Sequence, residues 1–283
     1  VIGQVNNLFD QTYATGAQLG PAGFTSAGIF AARPLPAING EFPVPQTTFL
    51  ADGQDNFAWA LFGELGYDLT DNLELSFALR YDEDKRENTT LTPTAFLPVI
   101  GGIVQGRTGE VREHTWSESQ PRLTLRYKAS DNLTIYGGWG KGFRSGGFNQ
   151  TGVAGEAAAA GIRGVGDLFN AEVAETLEFG LKSQLANDRV ALNFSVFDTT
   201  AEGSYFFQFL QASSTQNLGN LDEVQYQGFE FDVNARVSDS VNLFFGYGKT
   251  DSEITKFVDP LAIGNRAPLV SDDTVNAGVQ YHQ

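Results

Sequence analysis

From residue 57 onward, hydrophobic and polar residues alternate one by one along much of the chain. In FAWALFGELGYDL, Phe57, Trp59, Leu61, Leu65, Tyr67 and Leu69 fall on odd positions with Gly63 among them, and Glu64 and Asp68 fall between. A period of two is that of a β-strand, whose side chains point alternately to opposite faces. After the turn residues TDN the alternation resumes in LELSFALRYD, with Leu73, Leu75, Phe77, Leu79 and Tyr81 on one face and Glu74, Ser76, Ala78, Arg80 and Asp82 on the other. The unit recurs. Leu123, Leu125 and Tyr127 oppose Arg122, Thr124, Arg126 and Lys128, and the strand of Leu133, Ile135 and Trp139 follows the turn ASDN. Leu177, Phe179, Leu181 and Leu185 oppose Glu178, Lys182 and Gln184, and Val190, Leu192, Phe194 and Val196 follow ANDR. Phe229, Phe231, Val233 and Val237 oppose Glu230, Asp232, Asn234 and Arg236, and Val241, Leu243, Phe245 and Tyr247 follow SDS. A last strand carries Val275, Val279 and Tyr281. The pattern predicts about nine strands, arranged as four hairpins and one more strand.

The turns within hairpins are short and rich in Asp, Asn and Ser, which form local side-chain turns. The connections between hairpins, roughly 83–120, 142–173, 199–223 and 249–273, are long. Residues 1–56 are rich in Gly, Pro, Ala and Asn, lack either period, and read as a long extracellular loop segment. Alternation alone is the same in a soluble β-protein and in a membrane barrel. Three features separate them: short turns at one end with long loops at the other, aromatic residues near the ends of the apolar stripes, and the lack of a convincing amphipathic helix to cover those stripes. Strands of about 9 to 13 residues suffice to cross a bilayer at barrel tilt. The expected fold is therefore all-β: an antiparallel up-and-down transmembrane β-barrel, incomplete, about nine strands of a larger barrel, with 57–283 as its barrel part. Trp59, Tyr67, Tyr81, Tyr127, Trp139 and Tyr247 are the expected lipid-interface aromatics. Glu74, Arg80, Arg122, Arg126, Lys128, Glu178, Lys182, Glu230, Asp232 and Arg236 are expected to face the lumen.

Composition narrows the function. The chain has 283 residues, a formal net charge of −16 and a pI near 4.4. Nucleic acid is an unsuitable partner, because a phosphate-binding surface needs clustered Lys and Arg. There are no cysteines, which removes disulfides, thiolate metal sites and Cys nucleophiles. There are no methionines either, so Val1 is expected to follow a processed segment or a cut. No stretch has the length of a transmembrane helix.

The stretch GWGKGFRSGGFNQ, residues 138–150, leaves a strand through five glycines beside large aromatic rings. Glycines there let the sheet bend or let a bulky neighbour lie over the backbone. This stretch also carries a resemblance. ALFGELGYDLTDNLELSFALRYDEDKR, QPRLTLRYKASDNLTIYGGWGKGFRSGGFN, AEVAETLEFGLKSQLANDRVALNFSVFDTT and YQGFEFDVNARVSDSVNLFFGYGKTDSEIT, in that order, resemble barrel hairpins of TonB-dependent outer-membrane receptors. The resemblance implies a bacterial outer-membrane protein whose whole barrel has about 22 strands around an N-terminal plug. It also implies uptake of a scarce nutrient, most often a ferric siderophore or similar chelate, energised by TonB acting through the plug. The chain departs from that pattern: it has no plug, no TonB-contacting box and no terminal aromatic. A piece from the middle of a receptor is the expectation. Its partners would be outer-membrane lipid, the missing plug, TonB through that plug, and a small ligand (a chelate, cobalamin or a sugar). A passive porin and a β-sheet surface adhesin are the alternatives.

No catalytic constellation, cofactor motif or metal set is visible, so no enzyme is expected. The glycines of 137–147 match neither a dinucleotide nor a P-loop pattern. His114 and His282, the only histidines, lie far apart. DEDKRE, residues 82–87, reads as a solvated strand end rather than a calcium loop. Arg144, Asn149, Tyr205 and Phe206 are the candidate ligand residues, placed at the outer mouth by their position beyond the strands. YFFQF, residues 205–209, either lines a vestibule or continues a strand beyond the membrane.

Overall fold

The computed structural model describes residues 33–34 and 45–46 as strand backbone, and residues 51–211 and 215–282. Nine long strands form one sheet: β1 (Asp52–Thr70), β2 (Leu73–Thr90), β3 (Val111–Ser130), β4 (Leu133–Arg144), β5 (Glu172–Leu185), β6 (Val190–Leu210), β7 (Thr215–Arg236), β8 (Val241–Lys256) and β9 (Asp273–Tyr281). Each pairs antiparallel with the next, giving an open up-and-down sheet with β1 and β9 at its edges.

Register fixes the faces. Direct cross-strand partners run Leu73, Tyr127, Ile135, Leu181, Phe194, Phe231, Tyr247, Val275 from β2 to β9, an unbroken apolar row. The adjacent row runs Glu74, Arg126, Tyr136, Gly180, Ser195, Glu230, Gly248, Thr274. The apolar row starts at the first residue of β2 and crosses β8 well inside it, at Tyr247, so the strands are staggered, as barrel curvature and tilt require. The apolar face is not a core: Leu61 is 72 % exposed, Leu65 77 % and Val279 70 %. The buried clusters lie instead where the outer loops pack on the outer ends of the strands, around Val153, Ala157, Val165 and Leu210, and around Leu221, Val224, Ile254 and Ala267. Exposed Leu, Phe and Val rows on a wall this wide have a place only against lipid, and in a bilayer a lipid-facing wall must keep its backbone groups paired.

At one end the turns are tight. Asp71–Asn72 and Asp131–Asn132 join two pairs of strands, and Ala186, Asn187 and Asp188 all take left-handed φ (55°, 53° and 61°) to join β5 to β6. At the other end pairing continues past the apolar belt. The strands are longer than the alternation predicts: β1 begins at Asp52, inside the stretch read as loop, and β2 continues to Thr90. Residues 1–50 of that stretch lie outside the described residues, apart from the pair Arg33–Pro34 with Pro45–Gln46. The connections at this end are 91–110, 145–171 and 257–272.

The expected long loop at 199–223 is corrected. Residues 199–210 and 215–223 continue β6 and β7 as one hairpin, paired from Thr199↔Tyr226 to Leu210↔Thr215. The alternation is lost there because Gly203 takes φ 69° and leaves both Ala201 and Ser204 buried, so the sequence period slips although the ladder does not. A Cβ at Gly203 would collide with the Ala171 carbonyl.

Candidate functional site

The outer mouth is a folded assembly. Residues 145–171 leave β4, run through the helix α1 (Val153–Ala159) and return to β5, packing Val153, Ala157 and Val165 against Leu210 of the β6–β7 hairpin. The glycines in GFRSGGFN make this possible. A Cβ at Gly146 would strike the Phe169 carbonyl and the Trp116 ring, and one at Gly147 would lie 2.5 Å from the Phe169 ring. The close neighbour anticipated from the sequence is thus Trp116 and Phe169 at the loop, while Gly138, Gly140 and Gly142 lie on the polar face of β4.

Asn149 fastens the loop. Its Nδ2 donates to the carbonyls of Gly166 and Leu218, each at 2.7 Å, and its Oδ1 accepts from the Leu218 amide at 3.0 Å. The side chain is buried, and every polar atom of its amide is engaged. Asn220 repeats the device, donating to Gly203 O (2.7 Å) and Asn170 O (3.1 Å) and accepting from the Asn170 amide (2.7 Å). Asp167 accepts from the amides of Gly152 and Ala154, meeting donors that the first turn of α1 leaves without a helical partner. Arg112 of β3 bonds Asn88 Oδ1, Asn149 O and Asp167 O. Asn220, Asp167 and Arg112 escaped the sequence reading; they lie outside any period, and only "N" and "D" beside glycines hinted at turn chemistry.

Arg144 and Tyr205 come together, whereas Phe206 does not join them. The Arg144 guanidinium lies 4.0 Å from the centre of the Tyr205 ring and bonds Glu172 at 2.5 Å. Its side chain is 59 % exposed toward the mouth. The Tyr205 hydroxyl donates to Ser145 O at 2.8 Å, and its ring meets Phe169 edge-on at 5.3 Å. Burial pushes the Tyr205 phenol up to about 12, with Arg144 working in the opposite direction. The phenol therefore keeps its proton, and the bond to Ser145, throughout neutral conditions. Phe206 instead packs into both loop clusters and meets Phe257 at 5.8 Å. Replacing Tyr205 by Phe is expected to weaken loop docking by about 1 kcal/mol, one hydrogen bond. Linkage gives the sign: with its pKa raised, the phenol's contribution is complete below about pH 10, its unfolded value, and fades through about 12. Thermal unfolding of the two proteins should therefore differ by a constant amount up to that range.

The expected lumen residues share one face. Arg126 bonds Glu74, Arg80 bonds Asp82 at 2.6 Å, and the Tyr136 hydroxyl donates to Glu178. Lys182 lies 5.6 Å from the Tyr136 ring. On β3–β5 this face forms a hollow of about 670 Å³ over Gly138, Gly140 and Gly142. The six aromatics named from the sequence all lie on the apolar face, at two levels. Trp59, Tyr81, Trp139 and Tyr247 stand at the loop end of the belt, and Tyr67 and Tyr127 at the turn end. Just beyond the first level the same face turns charged. Trp59 Nε1 donates to Glu83 at 3.2 Å, Lys141 pairs with Glu175 at 3.0 Å and the Tyr247 hydroxyl donates to Asp273 at 2.5 Å. DEDKRE lies within β2, with Arg86 paired to Asp84 at 2.7 Å and Lys85 to Glu113 at 3.1 Å. Among the described residues no His, Asp and Glu group has the arrangement of a metal site.

An open antiparallel wall with one apolar and one charged face, aromatic rings at two levels of the apolar face and braced loops at one end has the form of a segment of an outer-membrane β-barrel. The family described as TonB dependent receptor-like, beta-barrel matches residues 2–283, and the chain belongs to that family. Its place is accordingly the bacterial outer membrane. Among solved structures it is similar to the ferric yersiniabactin uptake receptor FyuA from Yersinia pestis (TM-score 0.60, 20 % identity, 84 % of this chain and 33 % of that one). It is also similar to the ferric-catecholate import receptor Fiu from E. coli K12 (0.59, 17 %, 89 % and 37 %) and to the copper transporter OprC (0.59, 13 %, 81 % and 33 %). At these identities the likeness is one of fold. The chain spans about a third of the length of these neighbours.

Proposed function

We propose that the chain forms part of the wall and outer mouth of a receptor that imports a scarce nutrient, a ferric siderophore or similar chelate, using energy delivered by TonB through a plug. In this reading 57–283 belongs to the barrel, 1–56 is an extracellular loop segment, and the six girdle aromatics sit at the two lipid interfaces. The observation that carries the reading is the outer mouth: a loop assembly held by Asn149, Asn220 and Arg112, presenting the exposed Arg144 guanidinium on the Tyr205 ring. A flat cation braced by an aromatic ring suits the carboxylate or catecholate oxygens of a metal chelate. Asn149 and Phe206 serve the frame, and Arg144 and Tyr205 serve the ligand. The likeness in fold to uptake receptors for ferric yersiniabactin and ferric catecholates adds support.

The test is growth of iron-starved cells carrying the full-length protein on a panel of ferric catecholates, ferric hydroxamates, ferric citrate and cobalamin. One of these should support growth through saturable uptake that stops when the proton gradient is dissipated. Arg144→Glu is expected to raise the half-saturating concentration about tenfold or more, the effect of losing one charge-assisted contact. Unsaturable, gradient-independent uptake would make the protein a passive pore.

A further inference from the structure

The outward face of the sheet changes chemistry abruptly above the apolar belt. Leu123, Trp139 and Leu177 are direct cross-strand partners, and their row continues through Asp198 and Gln227 to Asp251. One strand step outward, Lys141, Glu175, Thr200, Gln225 and Glu253 form the next row. Over β1 to β3 the corresponding rows are Trp59, Glu83, Ser117 and, two steps out, Asp55, Glu87, Glu113. Two strand steps at barrel tilt cover about 10 Å, so this band lies at the head groups of the outer leaflet. Its cations are spent. Lys85 pairs with Glu113 at 3.1 Å, Lys141 with Glu175 at 3.0 Å, Lys249 with Asp273 at 3.8 Å and Lys256 with Glu223 at 2.5 Å. Those four are the lysines in the outward register of the nine strands. Every arginine of those strands falls in the inward register, Arg86, Arg112, Arg144 and Arg236 among them. Asp55, Glu87, Asp198, Glu202, Asp251 and Glu253 of the same band have no ion-pair partner among the described residues. Asp198 accepts from the side-chain amides of Gln225 and Gln227.

We propose that this band selects outer-leaflet lipids with uncharged sugar head groups over lipids whose head groups are phosphates. The exposed Leu, Phe and Val rows directly beneath it fix the occupant as lipid: the chains lie on the belt, and the head group therefore rests on the band. A phosphate held there would face carboxylates, with no arginine and no unpaired lysine to meet it, whereas anionic head groups are drawn to unpaired Lys and Arg. Sugar hydroxyls donate to carboxylates and to amide oxygens and ask for no counter-charge. Short hydroxyl side chains at Thr115, Ser117, Ser119 and Thr200 leave room for a ring to approach the sheet. From the receptor reading the proposal takes the assignment of the apolar face to lipid, and nothing about the nutrient.

The test uses the full-length protein, extracted from outer membranes into an uncharged detergent. It is titrated in EDTA with a monoglucosyl diacylglycerol, with phosphatidylglycerol or with bisphosphorylated lipid A, and the lipid retained is counted by native mass spectrometry. The glucosyl lipid is expected to be retained at least about tenfold better than either phosphate lipid. Glu202 and Glu253 are exposed, so Glu202→Lys combined with Glu253→Lys should fold and should raise retention of phosphatidylglycerol about tenfold. Heat-dependent migration on gels confirms folding, and the pair Glu202→Gln with Glu253→Gln, with a smaller rise, replaces the reversal if that variant fails to assemble. Three results would overturn the proposal: a glucosyl lipid retained no better than phosphatidylglycerol; lipid A retained equally well once millimolar Mg²⁺ is added, which would make the band a cation bridge to phosphate; or charge reversal without effect on either lipid. Nutrient uptake enters none of these measurements, so the receptor reading can fail while the lipid preference stands, and the reverse.

Discussion

Phe194→Arg is expected to abolish assembly in the membrane, whereas Asn193→Arg, one residue away, is expected to be tolerated. Phe194 stands mid-belt between Leu181 and Phe231, with Phe229 at 6.2 Å, on the face that meets lipid. An arginine there has no water and no counter-charge within reach. The depth-dependent penalty is about 2–4 kcal/mol near the bilayer middle, and loss of the aromatic contact adds to it. Asn193 pairs with Lys182 and Asp232 across the polar face, where a new cation finds a carboxylate. The measurement is the fraction of folded, heat-modifiable protein in outer membranes. Equal assembly of the two variants would mean that the faces have been assigned to the wrong sides.

Asn149→Ala is expected to release the loop 145–171 from the β6–β7 hairpin without disturbing the membrane wall. The substitution removes three hydrogen bonds and strands Gly166 O, Leu218 O and the Leu218 amide in a half-buried place. Each net bond is worth about 1 kcal/mol and each orphaned group somewhat more, so roughly 3 kcal/mol of docking is lost. Hydrogen exchange should rise in 145–171 and at 215–221 while β2 to β5 stay protected within the belt. Because Arg144 begins this loop and Tyr205 bonds Ser145, ligand affinity should fall with it, without any direct contact from Asn149. Unchanged exchange in the loop would show that Arg112 and Asn220 suffice to hold it.

The belt could be read from the sequence because lipid on one side and a polar interior on the other impose a strict period of two. Phe229, Phe231 and Val233 oppose Glu230 and Asp232 with no exception, and register confirms every position. Beyond the belt that constraint ends. From Asp82 to Asn88 both faces of β2 are polar, so the pairing that continues to Thr90 leaves no alternating trace. At 199–223 the period itself slips at Gly203, and a paired hairpin reads as loop. The mouth was half legible. Arg144 and Tyr205 could be placed by their position just past a strand, but their stacking depends on Ser145 and Glu172 carrying the loop back across. Asn149 could be placed at the mouth but its clamp could not, because the partners at Gly166 and Leu218 meet it only once the backbone is folded.

The β6–β7 hairpin reaches from Val196 and Phe229, at the edge of the lipid, to Leu210 and Thr215. Fourteen residues at strand rise and barrel tilt carry it about 35 Å outward. Phe207 and Phe209 ride near that summit with their rings uncovered. Whatever approaches the cell from the medium meets these two rings well ahead of the bilayer, so an antibody fragment raised to the summit should stain intact, unpermeabilised bacteria.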